Sequence, residues 1–375
     1  MGLRVLITNV TLAGRTGTEV YVRDLALELL RQGHHPAVFI AGDRFGPIGA
    51  ELRAAGVRVA SNLLTLRGFE PDVIHGHHTR AVVGAAHRFP RAPIIFICHD
   101  HRAPWDTLPF VRGIRRWFAV SELCRQRLIR DGIADATAKL LLNFVDTRRF
   151  QPRPPLPPHP ARALVLSHTA RADTHLPAVT EACRRLRLPL DVVGSGSGKP
   201  VNAPERILGR YDVVFAKAKA AMEAMAIGAA VVLCDYGGVG PMVTTANFDP
   251  LRPHNFGFRV LSEPLAPEPL VREIERYDAH DAARVRDRIR SEAALEPFVT
   301  ALVGTYRAVI DEGEDAGPPF AGGAHLLRHV FVARDALALR LVSSAEGTGR
   351  LARLLASMPG MPRLVAASRS SLGEP

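Results

Sequence analysis

The sequence lacks the marks of several large protein classes. Four cysteines occur in 375 residues without a CxxC pair, which favours reduced thiols in a cytoplasmic protein over disulfides or structural zinc. No apolar run approaches the ~20 residues that a membrane-spanning helix needs. A first strand is predicted from residue 3, so we expect no signal peptide and a cytoplasmic location. Aromatic residues are only 6%, and no zinc-finger or RNA-recognition pattern occurs, so nucleic acid is not an expected partner.

Lysine is also scarce, with four residues against 44 arginines. Two of the four, Lys217 and Lys219, lie almost side by side in the chain. The formal net charge is nevertheless +11. A charge of that size indicates an anionic partner, such as a nucleotide or an anionic lipid surface.

These two lysines lie in the stretch around which the chain is organised. Residues 212–216 and 230–234 are short apolar runs, typical of strands that are buried on both faces. Residues 218–227 are almost all Ala and Met, which favour a helix, and Gly228 stands where a glycine commonly ends one. Strand, helix and strand predict a right-handed βαβ crossover in a parallel sheet.

The start of this predicted helix has no Ser, Thr, Asp or Asn cap, but it has two lysines at the positive end of the helix dipole. Each such cation costs roughly 0.3–1 kcal/mol unless an anion is present. We therefore interpret the free N–H groups and the two ammonium groups as a phosphate site. Glu223, one turn on, is predicted to be half-buried, and ribose hydroxyls would satisfy it. The alternative is a packing helix with exposed lysines and a Glu that reaches solvent.

Strands and helices alternate along most of the chain, and the predicted strands include residues 140–145 and 190–193. This alternation predicts an α/β fold of parallel, doubly wound sheets. Residues 151–160 hold six prolines and are the predicted stiff linker between one domain, residues 1–150, and another, residues 161–312. Gly14 and Gly17 lie in the loop between the first strand and the first helix. Backbone N–H groups of that loop would face a phosphate, since ligands of such sheets bind at the carboxyl ends of the strands.

Histidines cluster after two of the predicted strands. They are His75, His77, His78, His99 and His101. His99 is followed by Asp100, and a histidine beside an aspartate at a strand end suits acid–base work or a hydrogen bond to a substrate hydroxyl. Five neighbouring histidines would also suit the metal of a hydrolase. The plainest alternative is a set of loop histidines whose hydrogen bonds are satisfied within the protein.

The last segment, residues 313–375, is predicted to be a basic, partly amphipathic tail. Residues 316–375 hold seven arginines and three acids, a net charge of +4. Leu351, Leu354, Leu355 and Met358 recur at helical spacing. Such a segment favours attachment to the anionic surface of an inner membrane. Packing against the first domain is the alternative.

Over roughly residues 3–312 the chain resembles the retaining glycosyltransferases of family 4. Six motifs support the resemblance, in the order in which that family has them. They are the loop and helix at 14–34, the strand ends at 73–75 and 94–99, the vS motif at 119–121, an NGVD-like motif at 143–146, vGxG at 193–196 and EAMAxG at 223–228.

The resemblance implies a GT-B fold, with two Rossmann-like domains facing across a cleft. It implies a retaining, hexosyltransferase-type enzyme that needs no metal or other cofactor. The co-substrate would be a nucleotide-diphosphate sugar, and the acceptor a hydroxyl of a glycan, a lipid-linked molecule or a small molecule in polysaccharide or cell-envelope synthesis. Glu223 would hold the ribose, His99 would contact the transferred sugar, and Gly17 would approach the diphosphate. Gly194 and Gly196 also belong to the implied donor site.

Three positions depart from the family pattern. Phe215 stands where the first Glu of E-x7-E is usual, and Phe144 replaces the glycine of NGVD. The usual Arg…Lys phosphate pair is replaced by SHTAR at 167–171. We infer that other cations take over the diphosphate: Lys217 and Lys219, with Arg171 or Lys199 as helpers. The alternative is a GT-B module that has lost catalysis and binds glycan or serves as a scaffold.

Overall fold

The computed structural model describes residues 2–313, which include two sheets. The first sheet consists of β1 (Arg4–Asn9), β2 (His35–Ile40), β3 (Arg58–Ala60), β4 (Val73–His77), β5 (Ile94–Cys98), β6 (Ile114–Ala119) and β7 (Ala138–Leu140). All pairs are parallel, in the order β3-β2-β1-β4-β5-β6-β7. Every residue of β4 and β5 is buried, so both faces of the sheet are covered. This explains why β5 reads as a continuous apolar run.

Four helices connect the strands of this sheet. They are α1 (Gly17–Arg31), α2 (Gly46–Ala54), α3 (Thr79–Arg88) and α4 (Glu122–Arg130). The first helix begins with a capping box, in which Glu19 accepts a hydrogen bond from the backbone N–H of Thr16 at 2.9 Å. Ser121 caps the fourth by accepting from the N–H of Cys124 at 3.3 Å. These caps place both helix starts at the carboxyl edge of the sheet.

The second sheet follows residues 151–160, which form no helix or strand. It consists of β8 (Ala163–Leu166), β9 (Leu190–Val193), β10 (Val213–Ala216), β11 (Ala230–Asp235) and β12 (Gly238–Met242). The order is β12-β11-β10-β8-β9, and β12 is antiparallel to its neighbour. The parallel part was predicted. The antiparallel edge strand was not, since Gly and Pro make up three of its five residues.

The helices of the second half are α5 (Leu176–Arg185), α6 (Ala218–Ile227), α7 (Phe248–Leu251), α8 (Pro267–Glu275), α9 (Ala279–Glu292) and α10 (Leu295–Asp311). Helix α6 lies between β10 and β11, as the central stretch predicts. Its last turn ends at Gly228, whose φ of 101° is the left-handed conformation that glycine adopts without strain.

Helix α10 returns to the first half of the molecule. Its apolar face, Val299, Leu302, Val303, Tyr306 and Val309, lies in the same buried cluster as β1, β4 and β5. We predicted residues 161–312 to be one domain, but the packing of α10 assigns its buried face to the first core. The reason is that its apolar stripe contacts α1, next to β1 and β2.

Other differences from the predicted elements are small shifts. The strand expected at 140–145 is instead β7, which ends at Leu140, and the NFVD residues that follow are loop. None of the helices within residues 2–313 is long and apolar enough to cross a bilayer. The predicted basic segment, with Leu351, Leu354, Leu355 and Met358, lies outside the described residues.

Candidate active site

The start of α6 lies at the carboxyl ends of β10 and β11, where Lys217 takes the N-cap position with an extended backbone. Its side chain makes no cap hydrogen bond. Instead, Nζ lies 3.4 Å from Oδ2 of Asp235 and 4.4 Å from the ring centre of Phe258. Ala218 follows with φ of 50°, a strained value for a residue with a Cβ. The predicted cation therefore does stand at the free helix end.

Asp235 connects this lysine to the loop that follows β8. Its carboxylate accepts hydrogen bonds from the hydroxyls of Thr169 at 2.5 Å and Ser167 at 3.4 Å. His175, in the same loop, is fully buried, and neither of its ring nitrogens has a hydrogen-bond partner among the described residues. Burial lowers the pKa of His175, opposed by the charge of Asp235, so the ring is neutral at pH 7.

Lys219 points away from the helix end. Its Nζ lies 3.0 Å from Oδ2 of Asp24 on α1, 3.3 Å from the carbonyl oxygen of Phe144 and 3.9 Å from Oε1 of Glu223. Lys217 contacts Asp235 and Lys219 contacts Asp24, so the two ammonium groups do not face one anion site. The sequence assigned Lys219 to a phosphate, and the structure gives it protein acceptors in a buried position.

Glu223 is 7% exposed, which confirms that its carboxylate is largely removed from solvent. Burial raises the pKa of Glu223 to about 7, and the positive charges of Lys219 and Arg149 oppose that rise. The carboxylate faces a pocket between α6, the loops after β8 and β9, and the first half of the chain. It is therefore a buried acceptor with an open side toward the cleft.

Two arginines from outside the second sheet complete this pocket, and sequence reasoning missed both. Arg15 comes from the glycine loop before α1, and Arg149 from the segment before the proline-rich linker. Arg15 pairs with Glu51, and Nη2 of Arg149 lies 2.8 Å from Oε2 of Glu205. Burial, and next the charge of Arg149, lower the pKa of Arg15. Arg15 lies within the motif at 14–34 and Arg149 three residues after the motif at 143–146, and those positions were the available signal.

The four glycines assigned to the donor site play different parts. A Cβ on Gly194, whose φ is 135°, would lie 1.9 Å from the carbonyl oxygen of Ser167, and one on Gly196 would lie 2.6 Å from that of His168. Close packing of two loops therefore requires both. The N–H of Gly14 donates to Glu19 at 3.0 Å. A Cβ on Gly17 would meet nothing within 4 Å. At Gly17, then, protein packing does not require a glycine.

Arg171 and Lys199, the predicted helpers, are both exposed and neither lines the pocket. Nε of Arg171 lies 2.9 Å from Oδ1 of Asp173. The backbone of Lys199 exchanges hydrogen bonds with Gly194 at 2.8 and 3.2 Å, which closes the loop after β9. The structure thus places these two cations near the rim of the second sheet rather than with Glu223.

His99 follows β5, at the carboxyl edge of the first sheet. Its backbone N–H donates to Oδ2 of the buried Asp106 at 2.9 Å, and that same oxygen accepts from the N–H of Asp100 at 2.6 Å. Nδ1 of His78 lies 2.9 Å from Oδ1 of Asp106. Burial lowers the pKa of His99 to about 4, so its ring is neutral at pH 7.

His75 and His77 bond to a tyrosine and to His99, whereas the side chain of His101 is only partly buried. Nδ1 of His77 lies 2.6 Å from Nε2 of His99, and Nδ1 of His75 lies 2.7 Å from the hydroxyl of Tyr306. Within residues 2–313, no group of three or more His, Cys, Asp or Glu side chains is arranged to hold a metal ion. The geometry therefore gives no support to a metal site in this cluster.

Comparison with known proteins identifies the architecture. Residues 15–149 match the family model described as Glycosyltransferase Family 4. No curated protein sequence matches the chain. The resemblance predicted from the six motifs is thus confirmed over the first domain, which contains the glycine loop, the histidine cluster and Arg149.

Solved structures extend the likeness to both halves. A glycosyltransferase from Rickettsia africae ESF-5 is 14% identical, with a TM-score of 0.61, and the match covers 83% of this chain and 100% of that one. HepE of Anabaena, in complex with UDP and glucose, is 13% identical, with a TM-score of 0.58 and coverage of 82% and 100%. AviGT4, a glycosyltransferase involved in avilamycin A biosynthesis, is 16% identical, with a TM-score of 0.52 and coverage of 83% and 99%. These likenesses confirm the predicted GT-B fold.

Proposed function

We propose that the chain is a glycosyltransferase that takes a sugar from a nucleoside-diphosphate sugar and transfers it to a hydroxyl group. The observation that carries this proposal is the pocket in which the buried Glu223 lies beside Arg15 and Arg149, next to the free start of α6. A carboxylate with an open side suits ribose hydroxyls, and clustered cations suit a diphosphate. The likeness to HepE, solved with UDP and with UDP-glucose, supports this assignment.

The diphosphate would lie between the start of α6 and the glycine loop. Lys217 and the N–H groups that follow Ala218 in the first helical turn would face it from one side, and Arg15 with Arg149 from the other. The N–H of Ala218 itself donates to the carbonyl oxygen of Phe256 at 2.8 Å. Gly17 leaves room for the close approach of a phosphate. Gly14, Gly194 and Gly196 would shape the surrounding loops. Lys219 would act through Glu223 and Asp24 instead of touching the phosphates.

Arg171 and Lys199, which the sequence analysis assigned to the diphosphate, lie farther from this site. Arg171 would reach the diphosphate only by leaving Asp173, and Lys199 only by a side chain that extends from the closed loop after β9. We retain both as helpers whose contribution is smaller than that of Lys217. The proposed reaction uses no metal, because the positive groups of the chain face the position of the leaving group.

The chemistry follows from where charge develops. As the bond between the anomeric carbon and the diphosphate breaks, negative charge grows on a phosphate oxygen, and fixed cations and N–H groups stabilise it. His99, neutral and half-buried, would hydrogen-bond the transferred sugar. The acceptor hydroxyl would attack from the face of the leaving group and give its proton to the departing phosphate oxygen, so the anomeric configuration is retained. That reaction is of the hexosyltransferase type, EC 2.4.

Calorimetry with UDP, GDP and ADP tests the donor site. We expect one of these nucleotides to bind the wild type, and Glu223→Gln to lower its affinity. Glu275 is an exposed carboxylate on α8, and we expect Glu275→Gln to leave the affinity unchanged. If none binds at millimolar concentration, the proposal is wrong. Binding without hydrolysis or transfer of the matching sugar would instead identify a glycan-binding or scaffold module. NMR of the product's anomeric proton reports retention.

The acceptor is proposed to be a glycan or a lipid-linked molecule at the cytoplasmic face of an inner membrane, in cell-envelope synthesis. The net charge of +11 supports this, since each Lys or Arg near an anionic surface contributes about 1 kcal/mol. We expect the full chain to sediment with anionic liposomes at low salt, and not with neutral ones or at high salt. Failure to bind anionic liposomes at low salt would contradict the membrane proposal.

A further inference from the structure

His77 occupies a rigid position behind His99. It is the last residue of β4, and its side chain is fully buried. Its backbone N–H donates to the hydroxyl of Thr8 at 2.9 Å, and that hydroxyl donates to the His77 carbonyl oxygen at 2.8 Å. The ring of Tyr21 packs edge-on against the rings of both His77 and His99. These contacts fix the imidazole of His77 relative to the cleft.

The rings of His77 and His99 share one hydrogen bond. Nδ1 of His77 and Nε2 of His99 are 2.6 Å apart, so one nitrogen carries hydrogen and the other presents its lone pair. Both rings are neutral, because burial lowers the pKa of His77 well below its ordinary value and that of His99 to about 4. A neutral imidazole has a single N–H, so the choice made at this bond decides which nitrogen of each ring is protonated.

The environment of Nε2 of His77 determines which of the two rings donates this hydrogen bond. Nε2 of His77 is buried, and no group within the described residues accepts a hydrogen bond from it. A buried N–H without an acceptor is costlier and rarer than a bare lone pair. The His77 proton therefore favours Nδ1, which donates to Nε2 of His99. His99 must then carry its own proton on Nδ1, the ring nitrogen for which the described protein offers no partner.

We propose that His77 sets the tautomer of His99, so that His99 presents Nδ1–H as a hydrogen-bond donor to the substrate. His99 then offers a donor to a hydroxyl or phosphate oxygen in the cleft, and it has no lone pair there with which to take a proton. His77 is a positioning residue that touches no substrate. The role in turnover rests on the proposed function, whereas the tautomer is a property of the free protein.

The tautomer is measured directly by NMR of the full chain labelled with ¹⁵N-histidine at pH 7, without ligand. We expect the Nδ1 of both His77 and His99 to be protonated, with signals assigned through His77→Asn and His99→Asn. Protonation of His99 at Nε2 would overturn the proposal. This outcome does not depend on whether any nucleotide sugar is a substrate.

A set of variants tests the consequence for turnover. Asn places an N–H close to the position of Nδ1, so His77→Asn keeps the donor to His99, and His77→Leu removes it. We expect His77→Leu to lower kcat roughly 3–10-fold with little change in donor KM, the effect of one hydrogen bond. We expect His77→Asn to stay within ~3-fold of wild type.

His75→Asn is the matched control, since it removes the neighbouring buried imidazole, bonded to Tyr306, and leaves the His77–His99 contact in place. Equal kcat losses in His77→Asn and His77→Leu, or in the His75 control, would show a packing role and contradict the proposal. If the wild type turns over no nucleotide sugar, the proposed function fails, and the NMR result still decides the tautomer.

Discussion

Glu223 shows how burial changes the chemistry of a single side chain. Because burial raises its folded-state pKa to about 7, above the ordinary 4.5, the folded protein holds this proton more tightly than the unfolded chain. Its contribution to stability is therefore present at low pH and is lost as the pH rises through about 7. We expect wild type to lose more stability than Glu223→Gln between pH 5 and 8, by on the order of 1–3 kcal/mol.

Thermal unfolding of both proteins across that range measures this difference. Parallel curves for wild type and Glu223→Gln would contradict the raised pKa. Nucleoside binding should have the opposite trend, strengthening with pH, because an ionised carboxylate accepts hydrogen bonds from both ribose hydroxyls.

The role of Lys217 at the start of α6 can be tested by comparison with Lys199, another of the four lysines of the chain. Lys217→Ala removes a cation at the free helix end, and we expect the affinity for nucleoside diphosphate to fall ~10-fold or more, as for loss of a charged hydrogen bond. Lys199→Ala changes an exposed lysine in the loop after β9, away from the start of α6, and should alter the affinity less than ~3-fold. Calorimetry measures the nucleoside diphosphate affinity of both variants. Equal affinities would show that Lys217 does not contact the diphosphate.

Residue roles were predicted from the sequence only where local pattern determines them. The uncapped lysine at the start of α6 and the buried Glu223 follow from positions along one helix. The pairing of Lys219 with Asp24 joins residues far apart in sequence, and no local pattern reports it. Arg15 and Arg149 were missed for the same reason, since each meets the pocket only after both halves of the chain have folded.

At the scale of loops and helices, substitutions of Gly17 and Gly194 distinguish an effect on donor binding from an effect on folding. Gly17→Ala adds a Cβ that meets nothing, so we expect the stability to change by less than about 1 kcal/mol while donor affinity falls. Gly194→Ala forces a Cβ against the Ser167 carbonyl in a left-handed conformation and should lower both. Urea unfolding and calorimetry on each variant measure the two effects. Unchanged affinity in Gly17→Ala would place the diphosphate elsewhere.

Elements with strong periodicity were predicted closely, and elements defined by distant contacts were not. The helix at 218–227 and the strand at 190–193 match the structure to the residue. The predicted strand at 140–145 was displaced, because the apolar Phe144 and Val145 pack as loop residues in two different cores. The antiparallel β12 has almost no strand signal of its own and forms by pairing with β11.

At the scale of the whole molecule, a chain of ion pairs joins the two halves. Arg23 contacts Asp24 at 2.6 Å, and Asp24 contacts Lys219, which lies beside Glu223. Asp24 and Lys219 are both buried, so removal of one leaves the other charge without compensation. We expect Lys219→Met to lower the free energy of unfolding by about 3 kcal/mol, near the low end for broken buried pairs because Arg23 remains.

Denaturant unfolding measures this loss, with Lys199→Met as the control for an exposed lysine. A change below about 1 kcal/mol in Lys219→Met would show that the pair between the halves contributes little. The variant should also weaken nucleoside binding through Glu223, whose pKa rises further without the neighbouring ammonium group.

The return of α10 has a consequence for how the chain is made. The core around β1, β4 and β5 is completed by Val299, Leu302 and Tyr306, which leave the ribosome after every strand of both sheets. The half that is synthesised first therefore keeps apolar surface exposed to solvent until nearly the whole described chain has left the ribosome. A nascent first domain is a natural client for chaperones, and a gene fragment encoding only residues 1–150 lacks part of its own interior.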